Sequence, residues 1–227
     1  MEENKELTIT EEVKNSKDEL KTFKRVFFYF MLGQIFLMIS VFANATIING
    51  VPGWIGFLSL FELVTHFIYL LKFAEIRHLN NSFYKSYITL LIYTVLFLLY
   101  GFGNNSKEIF ITAAVKGIDY SLIFVQATFY LYFFHGIYLL FDKYNFTTGK
   151  KKARIALVVY IVLYTIWMLI DQLSGMRLLL TNFFLNRFLV YGKWAMLLIV
   201  QTYVLIIAIN ASKYLKKKIG EEDKNEK

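Results

Sequence analysis

The chain has 227 residues, 57% hydrophobic and only 19% charged, with a formal net charge of +8. Soluble domains carry about 25% charged residues, so the composition points towards lipid. The absence of cysteine excludes disulfides, thiolate metal sites, Fe–S clusters and cysteine nucleophiles, and a single proline with twelve glycines excludes collagen-like or linker-like readings for most of the chain.

In chain order, six stretches are long and apolar enough to cross a hydrocarbon core of roughly 30 Å: 26–46, 54–73, 86–102, 120–141, 155–173 and 188–210. Backbone amides facing lipid need partners within their own segment, so each stretch is predicted to be a helix. A barrel would instead show short alternating strands. The predicted fold class is all-α: a polytopic membrane protein built as a six-transmembrane-helix bundle, with an N-terminal tail over 1–25 and a basic C-terminal tail over 211–227. The first apolar run is longer than a signal-peptide core and starts well into the chain, so it reads as a retained helix.

Ser16 with Glu19 makes a capping-box pattern that predicts a helix start near Lys17, and Thr8 with Glu11 is a weaker copy. Lys213, Lys216, Lys217 and Lys218 followed by Gly220 predict where the last helix stops. Two connections are too apolar for open loops. The stretch 108–117 reads either as an outward extension of the fourth helix or as an interfacial helix. The stretch 173–187 reads as an interfacial amphipathic helix or a shallow re-entrant turn between helices 5 and 6.

With the N-terminus inside, the inner segments hold 20 Lys and Arg and the outer ones five: Lys107, Lys116, Arg177, Arg187 and Lys193. The positive-inside rule then predicts a multi-pass protein of the cell membrane with both termini cytoplasmic. Spread over every inner segment, the basic residues need no nucleic acid to explain them; the predicted partners are the lipid bilayer and either a protein partner or further copies of the chain. The connection 142–154 is too short for a folded domain, and Gly101-x-Gly103 is a turn without the strand a phosphate-binding loop requires. Activity is therefore expected inside the bundle or in a partner that it anchors.

Ionisable side chains at membrane depth are costly and are candidate functional groups. Ser59, Glu62 and His66 share one face of the second span at helical spacing. Counting from the inner ends puts His135 of the fourth span at the same depth as His66. Glu62, His66 and His135 are thus expected to share a polar or ion site, either as helix fasteners, as a proton or cation path, or as ligands of a metal whose identity the spacing leaves open. The sequence leaves the cofactor, like the metal, unknown. A second, outer-face charge cluster comprises Lys116, Asp119, Asp171, Arg177, Arg187 and Lys193, within which Asp171 can pair with Lys193. Gln34, Gln126 and Gln201 read as interhelical fasteners or cavity-lining amides.

The helix count and short loops are similar in gross architecture to several permease families, which is an analogy of layout and not of motif. The leading expectation is a membrane-embedded transport component, permease-like or substrate-binding, coupled to a partner. The alternatives are a sensor, immunity protein, pore-forming effector or assembly factor acting through contacts, and a membrane enzyme acting on lipid or peptide.

Overall fold

The computed structural model describes residues 2–46, 54–103, 109–175 and 183–225; within them, the side chains of 2–17, 43–46, 54–62, 101–103, 109–116, 119, 175, 183–184, 186 and 222–225 lie outside the described set. The described chain forms helices α1 (Glu2–Thr46), α2 (Trp54–Ile76), α3 (Asn81–Gly103), α4 (Ile109–Lys143), α5 (Thr147–Gly175) and α6 (Phe183–Asn225), with no strand among the described residues. Five of them contain runs long and apolar enough to cross a membrane: Asp18–Phe42, Asn81–Tyr100, Tyr120–Lys143, Thr147–Ser174 and Arg187–Glu221. α2 has 23 residues, about 34 Å at 1.5 Å per residue, but the side chains of its first nine residues, 54–62, lie outside the described set. The surface is apolar in the manner of a lipid-facing bundle: Phe188, Leu71 and Phe124 are 72%, 69% and 63% exposed.

Each helix packs against its neighbours in sequence, and α1 closes on α6, so the six form a ring in chain order. Its interior is filled with aromatic side chains. Phe27 and Phe30 from α1, Tyr69 and Phe73 from α2, Phe83 from α3, and Phe129, Tyr130, Phe133 and Phe134 from α4 are all buried. The Phe30 and Phe133 ring centroids are 4.5 Å apart, and those of Phe73 and Phe129 5.2 Å. Two glycines permit this density. A Cβ on Gly33 would lie 2.6 Å from Tyr69 Oη, and one on Gly136 would lie 2.7 Å from the Phe83 ring.

The turns at the basic end tie neighbouring helices together. Asn80 Oδ1 accepts the Phe83 backbone N–H at 2.8 Å, capping α3, while its Nδ2 donates to the Gly136 carbonyl of α4. α4 ends in a Schellman motif. Asn145 takes the left-handed conformation (φ 54°), its N–H donates to the Asp142 carbonyl, and the Phe146 N–H donates to the Phe141 carbonyl. The accompanying apolar contact is Phe146 against Phe141, with centroids 5.7 Å apart.

Several sequence expectations are corrected. α1 starts at Glu2, not near Lys17, so both capping-box patterns lie inside a helix. No glycine or proline interrupts the chain before Gly33, and Glu19 accepts from Lys143 Nζ at 2.5 Å and from Tyr144 Oη at 3.0 Å instead of capping. Gly220 does not stop α6, which continues to Asn225 with Glu221 beside Lys217 and Lys218. The residues assigned to tails thus prolong α1 and α6 to about 65 Å each, roughly twice the hydrocarbon thickness. The stretch from 109 to 117 extends α4, the first of its two readings. Between α5 and α6, 173–175 and 183–187 are helical, and 176–182 lie outside the described residues.

Candidate functional site: a polar seam inside the ring

The expected Glu–His–His site does not assemble from the described side chains. Ser59 and Glu62 lie on α2, with their side chains outside the described set. His66 is buried against α3, its ring 4.8 Å from Tyr93 and 5.3 Å from Phe97. His135 is exposed, with Nδ1 2.7 Å from Ser82 Oγ near the start of α3. The two imidazoles therefore meet α3 at turns eleven residues apart, about 16 Å along the helix. Depth counted from the ends of apolar runs misleads because those ends are not level: Phe73, the last residue of the α2 run, packs against Phe129 and Phe133 of α4, well before Phe141, whereas contacts with α3 give the true register. Among the described residues no cluster of His, Asp or Glu could hold a metal.

Of the outer-face cluster, Lys116, Asp119 and Arg177 have side chains outside the described set, and Arg187 is exposed. Asp171 and Lys193 do pair: Lys193 Nζ lies 2.6 Å from Asp171 Oδ1, joining α5 to α6, and also sits over the Trp194 ring. Asp171 belongs to a seam along α5. Tyr160, Tyr164, Trp167, Asp171 and Ser174 recur every three or four residues and face inwards, with ring centroids 5.6 Å apart between Tyr160 and Tyr164 and 5.0 Å between Tyr164 and Trp167. The Tyr164 hydroxyl donates to the Ile123 carbonyl of α4.

The seam leads to Tyr130 on α4, whose ring is 5.4 Å from that of Tyr160. Gln34 Nε2 of α1 donates to Tyr130 Oη at 2.8 Å, and the Gln201 amide of α6 hydrogen-bonds the same phenol. Each amide spends one end on Tyr130 and leaves the other without a partner: Gln34 Oε1 and Gln201 Oε1 are buried and unpaired, as are Tyr160 Oη and Trp167 Nε1. Exchanging O and N in either amide changes which atom is left over but not that one is. Each such atom costs about 1–3 kcal/mol when buried without a partner. A polar guest supplying both donors and acceptors would recover that cost.

On the α2–α3 side of Tyr130 lies a cavity of about 10 Å³ lined by His66, Tyr69, Tyr93, Gln126 and Tyr130, at the lower limit for one water. Tyr69 Oη donates to the Phe30 carbonyl at 2.9 Å. Below this level, towards the basic end, the Phe27, Phe30, Phe73, Phe129 and Phe133 rings close the interior. The interior therefore has a polar half open to hydrogen bonding and an aromatic half that seals it. The tyrosines of the seam were absent from the sequence-based candidates, although the 160–164–167–171–174 spacing on an otherwise apolar helix is readable.

The basic end is held by charge. Arg25 Nη2 and Lys72 Nζ converge on Glu75 at 2.8 and 2.6 Å. Partial desolvation raises the Glu75 pKa, but the two cations outweigh it and hold the carboxyl below its usual value. No protein-family model, curated protein or solved structure matches the chain.

Proposed function

We propose that the chain is a membrane-embedded transport component, set in the cell membrane with both termini cytoplasmic, that accepts a small uncharged polar solute in the ring interior at Tyr130. The observation that carries this reading is the set of unpaired buried atoms on Gln34, Gln201, Tyr160 and Trp167; the void of water size lies on the other side of Tyr130 and is lined by none of the four. The guest is uncharged because these groups are neutral, and neutral dipoles that leave an ion partly desolvated recover only part of its hydration energy. The aromatic layer beneath implies that passage needs an input of energy. The lengths of α1 and α6 beyond a bilayer offer a cytoplasmic partner a place to supply it.

The test is solute uptake into proteoliposomes, followed by light scattering with urea and glycerol as probes, with and without whatever copurifies in mild detergent. The expected result is uptake above that of protein-free vesicles, reduced by Tyr160→Phe and Gln201→Leu while the protein stays folded. Uptake indifferent to both substitutions would sink the assignment. The aromatic seal also favours a second reading, a membrane protein that acts through contacts alone; it predicts a stoichiometric partner and no uptake under any condition.

A further inference from the structure

A groove opens sideways between α4, α5 and α6 at the basic end, with a volume of about 210 Å³. Its depth runs from Tyr203 to Tyr214 along α6, eleven residues or about 16 Å, which matches half of a 30 Å hydrocarbon core. Small residues make room for it: Gly149, Ala153 and Ala156 on α5 face Ala211 on α6. The deep part is apolar, flanked by Ile155 and Ile206, which are 62% and 47% exposed to the surroundings. The shallow part is polar and cationic. Lys152 stands at the mouth with its ammonium 5.3 Å from the Tyr214 ring centroid, and Asn210 lies beside it.

We infer that this groove binds an anionic phospholipid from the leaflet at the basic end, one acyl chain lying along Ile155, Ala156 and Ile206 and the headgroup phosphate meeting Lys152. Three properties agree on a lipid. The groove opens to the bilayer and not to the ring interior, its length is that of one leaflet, and its apolar and cationic parts are stacked in the order of an acyl chain and a phosphate. Charge complementarity selects an anionic lipid over a zwitterionic one: Lys151, Lys152 and Arg154 crowd the start of α5, and Lys213, Lys216 and Lys217 the end of α6. The inference stands apart from solute transport, since the groove and the polar seam share no residue.

The experiment uses the full chain, delipidated in detergent, with phosphatidylglycerol or phosphatidylcholine of identical acyl chains added back and bound lipid counted by native mass spectrometry. Phosphatidylglycerol is expected to be retained preferentially. Lys152→Gln should weaken it about fivefold, the effect of removing one basic residue near a lipid surface. Ile155→Trp narrows the groove from its exposed wall without touching the core, and should displace the lipid while the protein remains monodisperse. Lys85→Gln is the control: a lysine at the same end of the bundle, resting on the Tyr132 ring away from the groove. Equal retention of the two lipids overturns the proposal. So does an equal loss with Lys85→Gln, or retention unaffected by Ile155→Trp, because either would assign the lipid to diffuse basic charge and not to the groove.

Discussion

Tyr130→Phe removes the single oxygen on which the Gln34 and Gln201 amides converge. Packing is nearly conserved, so the loss is polar. Two amide groups that were bonded become unpaired, beside the two that already are. With a penalty of about 1–3 kcal/mol for one buried unpaired group, and some relaxation between the amides, the variant should lose about 2–4 kcal/mol. Gln34→Met deletes one partner together with its own unpaired oxygen and should cost less. The double variant should cost less than the sum, with an interaction energy of about 0.6–1.7 kcal/mol, the range between average and strong interhelical hydrogen bonds in membranes. Reversible unfolding of the purified protein in mixed dodecyl sulfate and mild detergent micelles, followed by tryptophan fluorescence, measures all three. Additivity within about 0.3 kcal/mol would show that Gln34 and Tyr130 are not coupled, and the polar network would lose its central link.

Gly33→Ala should destabilise by about 2–4 kcal/mol in the same assay, because its Cβ meets a Tyr69 ring that is buried and anchored to the Phe30 carbonyl; an unchanged midpoint would mean that α1 and α2 do not approach this closely. Glu75, whose pKa is depressed on folding, contributes stability that is fully present above its unfolded value and is lost as pH falls through the folded one. A stability titration should therefore fall on acidification below about pH 4, and Glu75→Gln should flatten that fall; a profile that the substitution leaves unaltered would detach it from the Arg25–Glu75–Lys72 cluster. Topology is testable with single cysteines, since the chain has none of its own. Lys150→Cys and a cysteine in either terminal extension should all resist an impermeant thiol reagent in intact cells, and labelling of Lys150→Cys from outside would invert the proposed orientation.

The helices were legible because their signal is local: long apolar runs with almost no proline require helices wherever lipid replaces water. Helix ends were less legible, because the residues that resemble caps have tertiary uses; Glu19 reads as a capping-box acid but is held by Lys143 and Tyr144 across the bundle. The ring order could not be read at all, since the sequence does not state that α1 closes on α6. The polar seam is hard to read in the sequence for a related reason. In a sequence charge is the marker of function and points to Glu62, His66 and His135, while the residues that converge inside the ring are two amides and two tyrosines of ordinary appearance. Gln34 and Gln201 were visible as buried amides, but only the closed ring shows that they address one phenol.

The aromatic seal determines whether the polar seam can be a path. Phe30 contacts five rings, those of Tyr69, Phe73, Phe129, Tyr130 and Phe133, at centroid distances from 4.5 to 6.5 Å. At about 0.5–1.5 kcal/mol per pair beyond simple burial, parting them costs roughly 2.5–7.5 kcal/mol. Turning a two-state equilibrium from 1:99 to 99:1 takes about 5.5 kcal/mol, so an opening of this size stays a minor state unless a partner or solute binds the open form selectively. Phe30→Ala removes all five contacts at once. If the layer is a gate, the variant should admit urea without any partner, while losing about 3–5 kcal/mol of stability to the cavity it leaves. Phe30→Leu, which keeps most of the volume without the ring contacts, separates the cavity from the ring contacts: it should leak detectably while losing less stability than Phe30→Ala. A folded Phe30→Ala protein as tight as the parent would mean that the rings are simply core, and the reading through contacts alone would then be the one to keep.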